Sequence, residues 1–268
     1  QTFVDVSNSV YANKNNTTPA GVTQPTSKYR SGSPESLVAW DTIGYQGQSF
    51  VSRGPSQQQL KEFTGGESKE QIRIYAGINS ADDAKSRADL AVKELERTGA
   101  FSRKVLIVAT ATGTGWLEPQ SVDSIEYMYG GDSAIVSQQY SYLPSWISFL
   151  VDKQNATEAG QALFNAVYSK WASLPADQRP KLIPYGLSLG SFGGQAAFGG
   201  ASQLQFLSDG ALYMGTPSDT SLWKTVTSNR DAGSPEWQPL YENGKYIRFA
   251  ASNTDITKSL DSWQKPRT

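Results

Sequence analysis

Ser188 stands within Gly186-Leu187-Ser188-Leu189-Gly190, a Gly-x-Ser-x-Gly run. That spacing suits a serine raised on a tight turn, with two glycines that let the flanking strand and helix approach closely. The chemistry it could do is attack on a carbonyl carbon. Such attack needs a base to take the hydroxyl proton and two N–H donors to hold the oxyanion. The base in sites of this kind is a histidine, and none of the 268 residues is histidine. Three readings stand open: the run is accidental, Ser188 uses an Asp or Lys of this chain as its base, or the working protein includes residues besides these.

A second run, Thr110-Ala111-Thr112-Gly113-Thr114-Gly115-Trp116, follows an apolar stretch. An oxyanion hole takes one N–H from the residue after the nucleophile and one from the loop after an earlier strand. Leu189 is the candidate for the first, and Gly113, Thr114 and Gly115 for the second; a plain strand-to-helix loop is the other reading. The aromatic segment Gln139–Leu150, together with Trp116, supplies candidates for a substrate pocket, namely Trp116, Tyr140, Tyr142 and Trp146. Aromatic rings offer an apolar face with a polar edge, although core packing competes for most of them. Asp132, Asp152, Asp209 and Asp219 flank strand candidates and could act as an acid partner, but an acid has no histidine here to orient.

Composition narrows the partners. The chain carries 24 basic and 25 acidic residues, a net charge of −1, so it has no electrostatic footprint for nucleic acid or an anionic membrane surface. With neither cysteine nor histidine it lacks the usual ligands for zinc and copper. No EF-hand loop is present, and no metal or other cofactor is expected. No apolar run approaches the roughly 20 residues that cross a bilayer. The first residue is Gln1 rather than methionine, which leaves room for an upstream leader or anchor.

The elements that must position these residues are legible as patterns. Residues 1–35 are rich in Ser, Thr, Asn, Pro and Gly and read as a polar lead-in or linker; residues 36–268 read as one catalytic domain. Ile72–Ala76, Val105–Ala109, Ala134–Val136, Lys181–Tyr185, Gly210–Met214 and Tyr246–Ala250 are strand candidates. Apolar residues at helical spacing predict helices over 82–97 and 158–171, with a shorter one at 123–128. The alternation predicts an α/β fold with a mostly parallel sheet flanked by helices on both faces.

Several longer segments make a resemblance specific: Arg97-Thr98-Gly99-Ala100-Phe101, Thr112–Trp116, Gln139–Trp146, Gly186–Gly193 and Gly233-Ser234-Pro235-Glu236-Trp237. Over residues from about 30 to 268 the chain resembles a family of bacterial, chiefly actinobacterial, α/β-hydrolase-like proteins. In that family an N-terminal multi-helix membrane region is joined to a catalytic domain facing outside the cytoplasm. The resemblance implies an α/β-hydrolase fold and Ser188 as nucleophile. It also implies that the acid and the histidine lie on sequence following a segment like Trp263–Arg267, so a second polypeptide piece carrying Asp and His is expected beside this one. The expected activity is serine acyl transfer: hydrolysis of an ester, or transfer of its acyl group to an alcohol on a cell-envelope lipid or glycan. The alternative is a catalytically inactive hydrolase scaffold that binds glycan or envelope material.

Overall fold

Apolar runs without polar alternation need cover on both faces, and the most apolar of five strands, Val105–Thr110, lies at the centre of one sheet. In the computed structural model, which describes residues 3–266 and 268, the five are β1 (Ile72–Ala76), β2 (Val105–Thr110), β3 (Ser133–Gln138), β4 (Lys181–Leu187) and β5 (Leu212–Met214). All pair in parallel, in the order β1-β3-β2-β4-β5. The register sets Thr110 of β2 opposite Gly186 of β4. The loop after β2 and the turn at Ser188 therefore leave the sheet next to each other, at its carboxyl edge.

Side chains alternate across the strands. Ile72, Ile74, Leu106, Val108, Val136 and Leu182 join one core, closed by α4 (Ala84–Thr98), α7 (Lys153–Ser173), α9 (Ala201–Leu207) and α10 (Ser221–Ser228). Tyr75, Val105, Ile107, Ala109, Ile135 and Tyr185 join the other, beneath α2 (Tyr45–Ser52) and α5 (Pro119–Met128). The remaining helices are α1 (Phe3–Asn15), α3 (Gln57–Thr64), α6 (Ser145–Val151), α8 (Leu189–Gln195) and α11 (Asn253–Ile256). Their ends follow local chemistry. Asp83 caps α4 by accepting from the Ser86 amide at 2.6 Å, and Gly99 ends it in the left-handed conformation. Among the described residues no helix is long and apolar enough to cross a membrane.

Two stretches differ from the sequence expectation. Residues 1–35 hold a helix and a strip that covers the outer edge of β1: Arg73 N–H donates to Tyr29 O, Ser31 N–H to Arg73 O, and Tyr75 N–H to Ser31 Oγ, each at 3.1 Å. A polar segment serves here because the exposed side of an edge strand asks for hydrogen bonds rather than apolar cover. Tyr246–Ala250, expected as a strand, does not join the sheet. Its backbone bonds go to Thr268 instead, with Arg248 N–H donating to Thr268 O at 2.9 Å and Thr268 N–H to Tyr246 O at 2.8 Å. The outer edge of β5 accordingly pairs with no strand among the described residues.

A buried charge cluster locks α2, β1 and α5 together. Arg73, 2 % exposed, donates from Nε and one terminal nitrogen to Glu126 at 2.8 and 2.7 Å, to Asp123 at 2.7 Å, and to the Phe50 carbonyl at 2.8 Å. The Glu126 side chain is fully buried. Removing one partner of such a pair leaves an uncompensated charge in the core. Arg73→Met is expected to lower unfolding free energy by about 3–5 kcal/mol, read by urea denaturation; a loss under about 1 kcal/mol would show that Glu126 is solvated or neutral.

Candidate functional site

Ser188 connects β4 directly to α8 and has φ 57° and ψ −122°, values that belong to the first central position of a type II′ turn, where glycine is the usual occupant. A serine persists there only if its surroundings over-determine the turn. They do. Ser188 N–H donates to Met214 O of β5 at 2.8 Å, while Ser191 and Phe192 amides donate back to Ser188 O at 2.9 and 3.2 Å. Behind the turn, Ser191 Oγ and Thr216 Oγ1 are 2.6 Å apart and Gln195 Nε2 donates to both. A Cβ on Gly190 would fall onto the Thr110 and Ala111 carbonyls, and one on Gly186 onto the Gly190 carbonyl. Both glycines of the run are therefore required by close backbone approach.

The Ser188 side chain, half-buried, opens into a cleft formed with Gln46, Thr112, Thr114, Trp116, Pro144 and Leu187. Among the described residues the Ser188 hydroxyl has no hydrogen-bond partner, and no titratable side chain lines this cleft. Leu189, the first residue of α8, has no acceptor for its amide inside the helix.

The loop after β2 is held from beneath. Tyr140 Oη donates to Ala111 O at 2.8 Å and Tyr75 Oη to Gly115 O at 2.6 Å. Burial pushes both phenols well above their ordinary titration range, so each stays a protonated donor. Gln139 Nε2 donates to Asn15 Oδ1 at 2.8 Å and to Thr114 O at 3.4 Å, and Gln139 Oε1 accepts from the Ile78 amide at 3.1 Å. The end of α1 thus reaches the loop beside Ser188.

The expected residues sort as follows. Thr114 and Trp116 lie on the cleft with Ser188, and the Thr114 amide has no partner among the described residues. Gly115 does not offer a donor, because its N–H is committed to Thr112 O at 2.9 Å; its φ of 87° makes it the turn residue. Gly113 is not on the cleft lining, and a Cβ there would sit 2.7 Å from Leu143 O and Ser148 Oγ. Tyr140 is a buried anchor rather than a pocket wall. Tyr142 borders a neighbouring hollow with Tyr11, Lys14 and Gln46. The side chain of Trp146 falls outside the described residues. Of the acids, Asp132 meets Lys69 and the Lys104 amide, and Asp209 meets the Leu182 amide, so both lie at the amino ends of strands, opposite Ser188. Asp152 accepts from Ser141 and Asn155, and Asp219 pairs with Lys153.

Comparison with known proteins agrees with this fold. An alpha/beta-hydrolase family model matches residues 72–268. The chain belongs to that family. A model of an alpha/beta-hydrolase family N-terminus matches residues 1–55, the stretch holding α1 and α2. No curated protein matches the chain. Sequence reasoning missed Gln46, which α2 carries to the cleft. The polar, weakly periodic sequence of that helix held no signal that it would face the nucleophile.

The glycine requirement gives a direct check. Gly190→Ala is expected to lower stability by about 2 kcal/mol or more through overpacking, whereas Gly66→Ala, whose Cβ would meet open space, should change it by less than about 0.5 kcal/mol. Equal effects in thermal or urea melts would contradict the close approach of α8 to β2.

Proposed function

We propose that this hydrolase-family chain is a serine-dependent acyl-transfer enzyme, with Ser188 as nucleophile and with the acid and histidine base supplied by residues outside 1–268. The observation that carries the reading is the backbone of Ser188, held at φ 57° and ψ −122° at the head of α8 with its hydroxyl free in an open cleft. In the proposed reaction Ser188 Oγ attacks the ester carbonyl carbon as the base takes its proton. The Leu189 and Thr114 amides hold the oxyanion, the alcohol leaves with a proton from the base, and water or a second alcohol then releases the acyl group. The expected class of substrate is an acylated lipid or glycan of the cell envelope, and the expected location is the outer side of the membrane, reached through an N-terminal membrane region.

Two features favour an external base over an Asp or Lys of this chain. No titratable side chain lines the Ser188 cleft among the described residues. Beside β5, whose outer edge pairs with no strand among the described residues, lies a cavity of about 230 Å³ bordered by Tyr213, whose buried hydroxyl has no partner among them. An open strand edge with an orphaned buried donor suits a docked segment. The scaffold reading is favoured by one fact, the lack of histidine in the sequence.

Ester hydrolysis separates these readings. With a histidine-bearing segment present, activity should rise with pH through about 6 to 7, as imidazole loses its proton, and Ser188→Ala should remove it. Residues 1–268 alone should turn over no ester above background. Full activity from these residues alone would sink the external base; no activity in either form would leave the scaffold reading.

A further inference from the structure

Three hollows meet at α2. The cleft over Ser188, the hollow beside Tyr142 and a further cavity of about 370 Å³ all include Gln46 in their walls, and the first and last also share Trp116. This third cavity lies between α2, α5 and the turn at Trp116, within the size range of small-molecule sites, roughly 300–1,000 Å³.

Its lining is of mixed character. Gln46 and Ser49 lie one turn apart on α2, Arg53 follows the end of that helix, and the rings of Tyr45, Phe50 and Trp116 stand beside them. Trp116 is 37 % exposed, so part of its face is open to a ligand. The side-chain polar groups of Tyr45, Gln46, Ser49, Arg53 and Trp116 have no hydrogen-bond partner among the described residues.

Those properties select among ligand classes. An acyl chain filling this cavity would strip water from five hydrogen-bonding side chains and return nothing to them. An anion finds no surplus of positive charge: Arg73 is matched by Glu126 and Asp123, and the four groups Arg53, Arg73, Asp123 and Glu126 sum to zero. A neutral sugar ring satisfies both demands, since its C–H face stacks on an aromatic ring while its hydroxyls reach amide, hydroxyl and guanidinium groups.

We propose that this cavity is a subsite for a neutral saccharide, which places a sugar hydroxyl or its ester at Ser188 past the shared wall of Trp116 and Gln46. Its purpose rests on the reading of Ser188 as nucleophile; binding itself does not. The subsite recognises the sugar, and the acyl group lies on the opposite side of Trp116.

Saturation-transfer NMR on residues 1–268 tests it, with maltose, cellobiose and N,N′-diacetylchitobiose as saccharide probes, decanoate as the acyl probe and inorganic phosphate as the anion. At least one disaccharide should receive saturation on its ring protons. Trp116→Ala and, separately, the exposed Arg53→Ala should each weaken that binding by roughly tenfold with unchanged circular dichroism, while decanoate and phosphate fail to displace the sugar. Ser188→Ala should bind as well as the wild type. No transfer to any of the saccharides at 20 mM, on the order of the weakest useful affinities, would overturn the proposal. So would binding indifferent to both variants, or displacement by decanoate. Retained sugar binding in a protein whose Ser188 never reacts would sink the acyl-transfer reading alone.

Discussion

The conformation of Ser188 is the constraint on which the rest depends. An L-residue at positive φ costs about 1–3 kcal/mol, and this one is held there by contacts from β4, β5 and α8 at once. The glycines on either side let those elements approach closely enough to hold it. The sheet register then sets the loop after β2 beside the turn, since Thr110 lies opposite Gly186. Strain, register and close approach together place the Ser188 hydroxyl at the cleft beside the loop after β2.

The second loop is fixed by different means. Tyr75 and Tyr140 rise from the sheet and the segment after β3 to hold it by its carbonyls, and Gln139 ties it to Asn15 of α1. The N-terminal stretch is therefore part of the site's construction, as well as the cover for the edge of β1. That double role accounts for the close packing around Gly44, where an added Cβ would meet both Asn15 and Gln139.

Much of this was legible in the sequence. Val105–Ala109 is apolar throughout because it is covered on both faces, and the helices over 82–97 and 158–171 declared themselves by spacing. The Gly-x-Ser-x-Gly run carried its own backbone demand. What escaped was set by pairing rather than composition. Tyr246–Ala250 has the residues of a strand, yet its hydrogen bonds go to Thr268. Residues 1–35 looked like a linker because their contribution is made through backbone groups at a strand edge. Gly115 looked like an oxyanion donor until its amide was found bonded within its own turn, and Gln46 gave no sign because a polar residue on a short helix reads as solvated surface.

A pair of substitutions measures the strain at Ser188 most directly. In urea denaturation, Ser188→Gly should raise unfolding free energy by about 1–3 kcal/mol, because glycine adopts this conformation without penalty, while Ser188→Ala should stay within about 0.5 kcal/mol of wild type. A Ser188→Gly protein less stable than wild type by about 0.5–1 kcal/mol, the usual cost of glycine in a regular element, would mean that the turn is unstrained and that Ser188 is not held as a nucleophile.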